Sequence, residues 1–369
     1  MLNFQKLLLF LLVCSSCTTD LAELPEVGNE IPLGLPAIAV LGETEGTVYQ
    51  SDVSATLTET VLTDLTAEIG IIGPQFVVYG RNGLVTGLVR NEGRTQVWQR
   101  NVDSGEVYTL QDFCAEQSAI AIFTASGSEN YLGLLFDALD DDEERFFLNV
   151  FEKTTERCIQ FDLGLSSPSA AFQFESIYGV YRINGNERTL TLVDMERERT
   201  PGILSLSEDF NFATVNNRLL YLFYTDGRYE IYDIDGYKLL QEGKNTALMH
   251  TTAVGFLATV FAEEQMLYYS AFPAPSVIAV APEIYDFATD QVIKPSVDLF
   301  QLKTSLEGTL GSTVTFSDIQ IDFKRSLVLV GYSLSIPDII GGVVYLTFDG
   351  TVLNSVPLKH DVRSILIKE

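Results

Sequence analysis

The stretch that decides the fold is Arg218-Leu219-Leu220-Tyr221-Leu222-Phe223-Tyr224-Thr225-Asp226-Gly227-Arg228-Tyr229-Glu230-Ile231-Tyr232-Asp233-Ile234-Asp235-Gly236-Tyr237-Lys238-Leu239-Leu240-Gln241. Runs of Leu, Ile, Phe and Tyr suit a pleated, half-buried surface, and each Asp-Gly supplies the positive φ that a tight turn needs. The stretch reads as three short strands joined by two turns. Such a meander cannot cover its own faces, so it needs neighbours of the same kind.

The chain supplies them on both sides. Apolar runs at 75–79, 84–90, 95–101 and 106–110 are separated by Arg81-Asn82-Gly83, Asn91-Glu92-Gly93 and Asp103-Ser104-Gly105. A second group covers 119–124, 131–136, 145–151 and 157–163, a third runs over 171–206, and 212–215 leads into the opening stretch. A longer, less regular group spans 247–299, and the last takes 313–322, 327–334, 343–348 and 351–357. Helical periodicity is scarce, although Phe146, Phe147, Val150 and Phe151 fall at helical as well as strand spacing. A short helix over 143–151 therefore competes with a strand there. Repeats of four antiparallel strands every roughly 35–55 residues point to an all-β chain built as a β-propeller. Seven blades are preferred to six, and two β-sandwich domains are the alternative. The segment 361–367 is expected as the inner strand of a blade that 37–41, 47–51 and 55–61 complete, which would remove the open edges.

The first residues are excluded from the fold. Lys6 precedes an apolar run from Leu7 to Val13 that is too short to span a bilayer, and Cys14-Ser15-Ser16-Cys17 follows. This resembles the lipobox of bacterial lipoproteins, with Cys14 standing where Leu is usual. The resemblance implies a signal peptide over 1–16 and a lipidated Cys17, with a tether over 17–36 carrying Pro25, Pro32 and Pro36. The propeller domain then covers 37–369. Thr18 lacks the Asp of inner-membrane retention, and Asp20 and Glu23 resemble the acidic export signal of Bacteroidota surface lipoproteins. Together the lipobox and the repeats resemble the propeller lipoproteins of Bacteroidota envelopes. That implies an outer-membrane lipoprotein, facing the periplasm or the surface. Cys114 and Cys158 remain, as a disulfide in an oxidising compartment or as two buried thiols.

Of 369 residues 46% are hydrophobic, ample for a large core, and the formal net charge is −27. A surface so acidic repels phosphate backbones and anionic headgroups, so no nucleic-acid binding is expected and the membrane is met through the lipid anchor alone. There are two histidines, His250 and His360, which gives neither a Ser-His-Asp triad nor a zinc site a spacing to use. No P-loop, G-x-S-x-G or dinucleotide fingerprint occurs, and no cofactor is expected. Asp137, Asp140, Asp141, Asp142, Glu143 and Glu144 could supply a carboxylate pair or ligate calcium, or form a solvated acidic turn. Asp233-Ile234-Asp235-Gly236 has part of a calcium loop's order but sits where a hairpin turn belongs. Tyr221, Phe223, Tyr229 and Tyr232 are placed to pack between blades, with stacking on sugars as the other use.

In a propeller the turns between second and third strands, and the connections to the next blade, gather on one face. That face should receive Glu92, Asp137, Asp140, Asp141, Asp142, Glu187, Asp226 and Asp338, with Arg90, Arg94, Arg145 and Arg228. Asp140, Asp141, Asp142, Asp226 and Arg228 are the candidate binding residues, for a protein partner or a polysaccharide. The reading is a non-catalytic binding or assembly module anchored in the envelope; the alternative is a propeller that binds or cleaves carbohydrate.

Overall fold

Alternating apolar residues between turn signals build sheet upon sheet. The computed structural model describes residues 34–70, 75–79, 83–91, 94–114, 122–140, 143–252, 260–262, 265–271, 280–334 and 340–368. Within them the strands form seven antiparallel sheets.

In the first, β1 (Ile38–Thr44), β2 (Thr47–Val53) and β3 (Thr60–Asp64) are joined by β29 (Ser364–Ile367), which pairs with β1. The second holds β4 (Gln75–Tyr79), β5 (Leu84–Asn91), β6 (Arg94–Asn101) and β7 (Val107–Leu110). The third holds β8 (Ile122–Gly127), β9 (Tyr131–Asp140), β10 (Glu143–Glu152) and β11 (Arg157–Gly164). The fourth holds β12 (Ala170–Phe174), β13 (Ile177–Asn184), β14 (Glu187–Asp194) and β15 (Arg199–Leu206). The fifth, which contains the opening stretch, holds β16 (Phe210–Asn216), β17 (Leu219–Tyr224), β18 (Arg228–Asp233) and β19 (Lys238–Lys244). In the sixth, β20 (Thr251–Thr252) and β21 (Val260–Ala262) both pair with β22 (Gln265–Ala271), followed by β23 (Val280–Asp286) and β24 (Gln291–Ile293). The seventh holds β25 (Thr315–Asp322), β26 (Leu327–Ser333), β27 (Gly341–Thr347) and β28 (Val352–Leu358).

The core is divided between these sheets. Trp98 and Val85 of the second sheet pack on Ala39 and Leu41 of the first, and Leu88 packs with Leu132 and Phe147 of the third. Leu148 and Val150 of the third meet Tyr178 and Val193 of the fourth, whose Leu190 meets Leu220 and Tyr224 of the fifth. Phe223 and Tyr229 of the fifth meet Met266 and Tyr285 of the sixth, and Ile284 joins the sixth to the seventh. Finally Leu329 and Tyr345 of the seventh pack on Ile38, Val40 and Ile365 of the first. Each apolar cluster thus joins two successive sheets, and the last cluster returns to the first.

Close packing explains why the only tryptophan is where it is. A Cβ at Gly87 would lie 2.0 Å from the Trp98 ring, so glycine on β5 makes room for the indole of β6.

One competing reading is resolved and one segment departs from expectation. Residues 143–152 form the strand β10, not a helix, because Phe147, Leu148 and Val150 are all buried and serve two faces of the sheet. A helix does form elsewhere: α1 (Leu65–Ile69) is one turn after β3, and the longer α2 (Leu299–Leu310) falls between the sixth and seventh sheets. Asp298 caps α2 by accepting from the Gln301 amide at 2.9 Å, Gly311 ends it at φ 65, and Leu299, Leu302 and Leu306 bury its inner face.

Candidate binding face

At β17–β18 the turn Thr225-Asp226-Gly227 stands at the end of the fifth sheet where the chain also enters and leaves it. Gly227 has φ 82, and a Cβ there would meet the Asn245 carbonyl oxygen at 2.4 Å, so this position requires glycine. Asp226 accepts from the Arg228 amide at 3.1 Å and from Lys244 Nζ at 2.7 Å. Arg228 in turn donates to Asp209 Oδ2 at 2.8 Å and to Glu230 Oε1 at 3.2 Å, while its guanidinium lies 4.0 Å from the centre of the Tyr224 ring. Glu230 Oε2 accepts from the hydroxyls of Tyr224, at 2.8 Å, and Tyr232, at 2.9 Å.

The chemistry follows from that network. The Lys244 ammonium, with the Arg228 amide, holds the Asp226 carboxyl below the usual carboxylate range. The Ser207 hydroxyl and Arg228 do the same for Asp209. Burial and the Glu230 carboxylate push the Tyr232 hydroxyl up to about 12, and the same causes raise Tyr224. The carboxylates of Asp209, Asp226 and Glu230 outnumber the cations of Arg228 and Lys244 by one, and the hydrogen bonds among them make this corner a polar platform with an aromatic floor.

The other sequence candidates are distributed over neighbouring sheets. Asp140 ends β9, and Asp141 and Asp142 lie outside the described residues, as do Glu92, Asp338 and Cys17. Asp137 is buried at 5% exposure. Arg94 pairs with Asp112 at 3.6 Å, and Arg145 pairs with Asp162 across the third sheet. Glu187 is exposed where β14 begins. Cys114, just past β7, is joined to Cys158 on β11 by a disulfide with Cα atoms 5.7 Å apart. Among the described residues Asp226 and Arg228 are brought side by side, Arg228 Nε lying 3.8 Å from Asp226 Oδ1. Tyr221, Phe223 and Tyr229 are buried and pack toward the sixth sheet, whereas Tyr232 is half-buried with its hydroxyl on Glu230.

No protein-family model and no curated protein matches the chain. Solved structures do. The computationally designed Ika8 protein is 14% identical at a TM-score of 0.47, with 91% of this chain and 92% of that one covered. Dihydro-heme d1 dehydrogenase NirN in complex with DHE is 11% identical at 0.48, covering 88% of this chain and 74% of that one. Pyrococcus horikoshii acylaminoacyl peptidase is 11% identical at 0.47, covering 86% and 52%.

Two polar groups, Asp194 and Arg100, were not singled out by the sequence reading, and His360 was named there without its partner. Asp194 is fully buried, accepts from Arg218 Nη2 at 2.9 Å, and shares Arg218 and Arg197 with Asp235, so the Asp233–Gly236 segment is a hairpin turn tied to the fourth sheet. Arg100, buried on β6, donates to Gln50 Oε1 at 3.0 Å and so joins the second sheet to the first. His360 is buried with Nε2 2.8 Å from Ser51 Oγ. Each crosses between segments distant in the chain, which no local pattern announces. Among the described residues no group of three or more His, Cys, Asp or Glu is placed to hold a metal ion, and no helix is long and apolar enough to cross a membrane.

Proposed function

We infer that the chain is a seven-bladed β-propeller, closed by the pairing of its two ends, that serves as a non-catalytic binding or assembly module. The observation that carries the fold reading is the succession of apolar clusters, each joining neighbouring sheets and the last returning to the first. The side-by-side placement of the first strands supports it: β4 lies by β8, β8 by β12, β12 by β16, β16 by β20, and β25 by β29. On this reading those strands line a central channel, and the turn at Asp226 and Arg228 belongs to the face around its mouth.

A binding role is favoured by how that corner is made. Asp226, Arg228, Asp209 and Glu230 hold one another in place, which suits a pre-organised recognition surface better than a group that must gain or lose a proton during a reaction. Lipidation at Cys17 would tether the propeller to the outer membrane through the segment 17–36. The test is a capture from native envelope membranes with immobilised protein, run beside a glycan array. A protein retained at low salt and released as salt rises supports the assembly module. Retention of a polysaccharide, or its cleavage, instead establishes the carbohydrate reading.

A further inference from the structure

Twelve large hydrophobic side chains are exposed among the described residues, and their distribution is uneven. Six lie on outermost strands: Val61 and Leu62 on β3, Ile203 on β15, Leu239 and Leu240 on β19, and Ile293 on β24. The other six are Phe123, Leu139, Leu165, Ile183, Met249 and Phe300. All of these stand at the end of a sheet where second strands turn into third strands or where the chain passes to the next sheet. None stands at the turns of the opposite end.

Four of the six belong to the adjoining third and fourth sheets. Phe123 meets Phe146 edge-on with ring centres 5.5 Å apart. Phe146 is in register with Gly164, which places Leu165 next along, and Leu139 is in register with Glu144 on the same turn. Arg182 of the fourth sheet, 6% exposed, then fixes the connection between the sheets. Its Nη2 donates to the Leu163 carbonyl at 3.1 Å, its Nε to the Ser166 carbonyl at 3.0 Å and its Nη1 to Thr191 Oγ1 at 3.0 Å. The Ile183 amide donates to Ser169 Oγ at 3.2 Å on the same connection. A buried guanidinium thus clamps both sides of Leu165, whose own side chain is 56% exposed. Core packing gives no reason to hold a leucine rigidly in water; an interface does.

The rim is anionic. Glu143, Glu144 and Glu187 are exposed and have no ion-pair partner among the described residues, and the neighbouring Arg145 is engaged by Asp162. A second copy of a chain with net charge −27 would bring like charge against this rim, and anionic lipid or nucleic acid would be repelled. We propose that this surface, built on Phe123, Leu139 and Leu165 and rimmed by Glu143, Glu144 and Glu187, docks a Lys/Arg-rich segment of a partner protein through apolar anchor side chains. The proposal rests on the binding-module reading above and names the class of partner.

The probe is a fluorescent synthetic peptide alternating Lys with Leu and Phe, followed by anisotropy, beside a Lys–Ser peptide of equal charge and a Glu–Leu peptide. The wild-type protein should bind the first at least about tenfold more tightly than either control, as expected when several apolar side chains are buried against a charged rim. The variant Leu139→Ser/Leu165→Ser, unchanged in charge, should keep its melting temperature and lose at least about tenfold in affinity. A benzophenone on the peptide should cross-link to the third and fourth sheets. Equal binding by the double variant and the wild type, or cross-links confined to other sheets, would overturn the proposal. If a membrane protein were captured equally by both, the binding module would stand and this surface would fall.

Discussion

Acidification should unlatch the junction of the two chain ends, and His360 is the group that makes it do so. The side chain is 0% exposed, with Nδ1 2.7 Å from the Asp361 carbonyl oxygen, Nε2 2.8 Å from Ser51 Oγ, and the ring stacked on Tyr49 at 5.9 Å. A carbonyl oxygen only accepts, so Nδ1 carries the proton and the neutral Nε2 accepts from the Ser51 hydroxyl. Burial pushes the imidazole below its ordinary value of 6.5, with the Asp361 carbonyl and carboxylate opposing part of that effect. The unfolded chain, whose histidine keeps an ordinary pKa, therefore takes up the proton first as pH falls. Stability from this group is complete above the unfolded pKa of about 6.5 and declines below it, with a slope approaching about 1.4 kcal/mol per pH unit until the folded-state pKa is passed. Guanidinium unfolding of wild type and His360→Gln between about pH 5 and 8 isolates the contribution, because the many carboxylates titrate alike in both. The wild type should lose stability relative to the variant as pH falls through this window. Parallel curves for the two proteins would refute the assignment.

Breaking the Cys114–Cys158 bridge, which spans 44 residues of sequence, should lower stability by up to about 4 kcal/mol in the chain-entropy account, measured on Cys158→Ala by denaturant unfolding. Alkylation of the unreduced protein should find neither thiol of that pair; two alkylated cysteines would contradict it. Gly87→Ala should cost about 1–3 kcal/mol by forcing the Trp98 ring out of place, read as a shift in the unfolding midpoint. Metabolic labelling with a palmitate analogue should tag the protein, and Cys17→Ala should abolish the tag.

Much of the fold was legible because tight turns carry local signatures. Asp226-Gly227, Asn184-Gly185 and Asp349-Gly350 all mark turns, with Gly227 at φ 82, Gly185 at φ 60 and Gly350 at φ 88, whereas at Asp235-Gly236 the positive φ falls on Tyr237, at 49. The sequence also marked the terminal segment that forms β29, since Ile365, Leu366 and Ile367 repeat the pattern of an inner strand. What escaped is non-local. Asp298 and Gly311 cap α2, but Phe300 is exposed and breaks the clean apolar stripe of Leu299, Leu302 and Leu306, so the helix was hidden in an irregular segment. At 143–152 apolar residues face two neighbouring clusters, and a strand buried on both sides loses the alternation that separates it from a helix. Of the candidate site, the turn at Asp226 and Arg228 could be named from its hairpin, whereas its partners Asp209 and Lys244 are 19 and 18 residues away in the chain. The clamp of Arg182 on Leu163 and Ser166 has no local signature either, because it depends on how two sheets meet.

The proposed closure of the chain on itself would turn separate sheets into one platform, and amide hydrogen exchange tests it directly. β29 has a single strand partner, β1, with Val40 opposite Ile365 and Ala39 opposite Leu366, and the Ile365 amide donates to the buried Asp318 at 2.8 Å. Exchange should be slow at 364–367 and within about tenfold of that at 38–41, since the two strands open together. Free exchange at 364–367, at the rate of a frayed terminus, with 38–41 still protected, would contradict the closed arrangement.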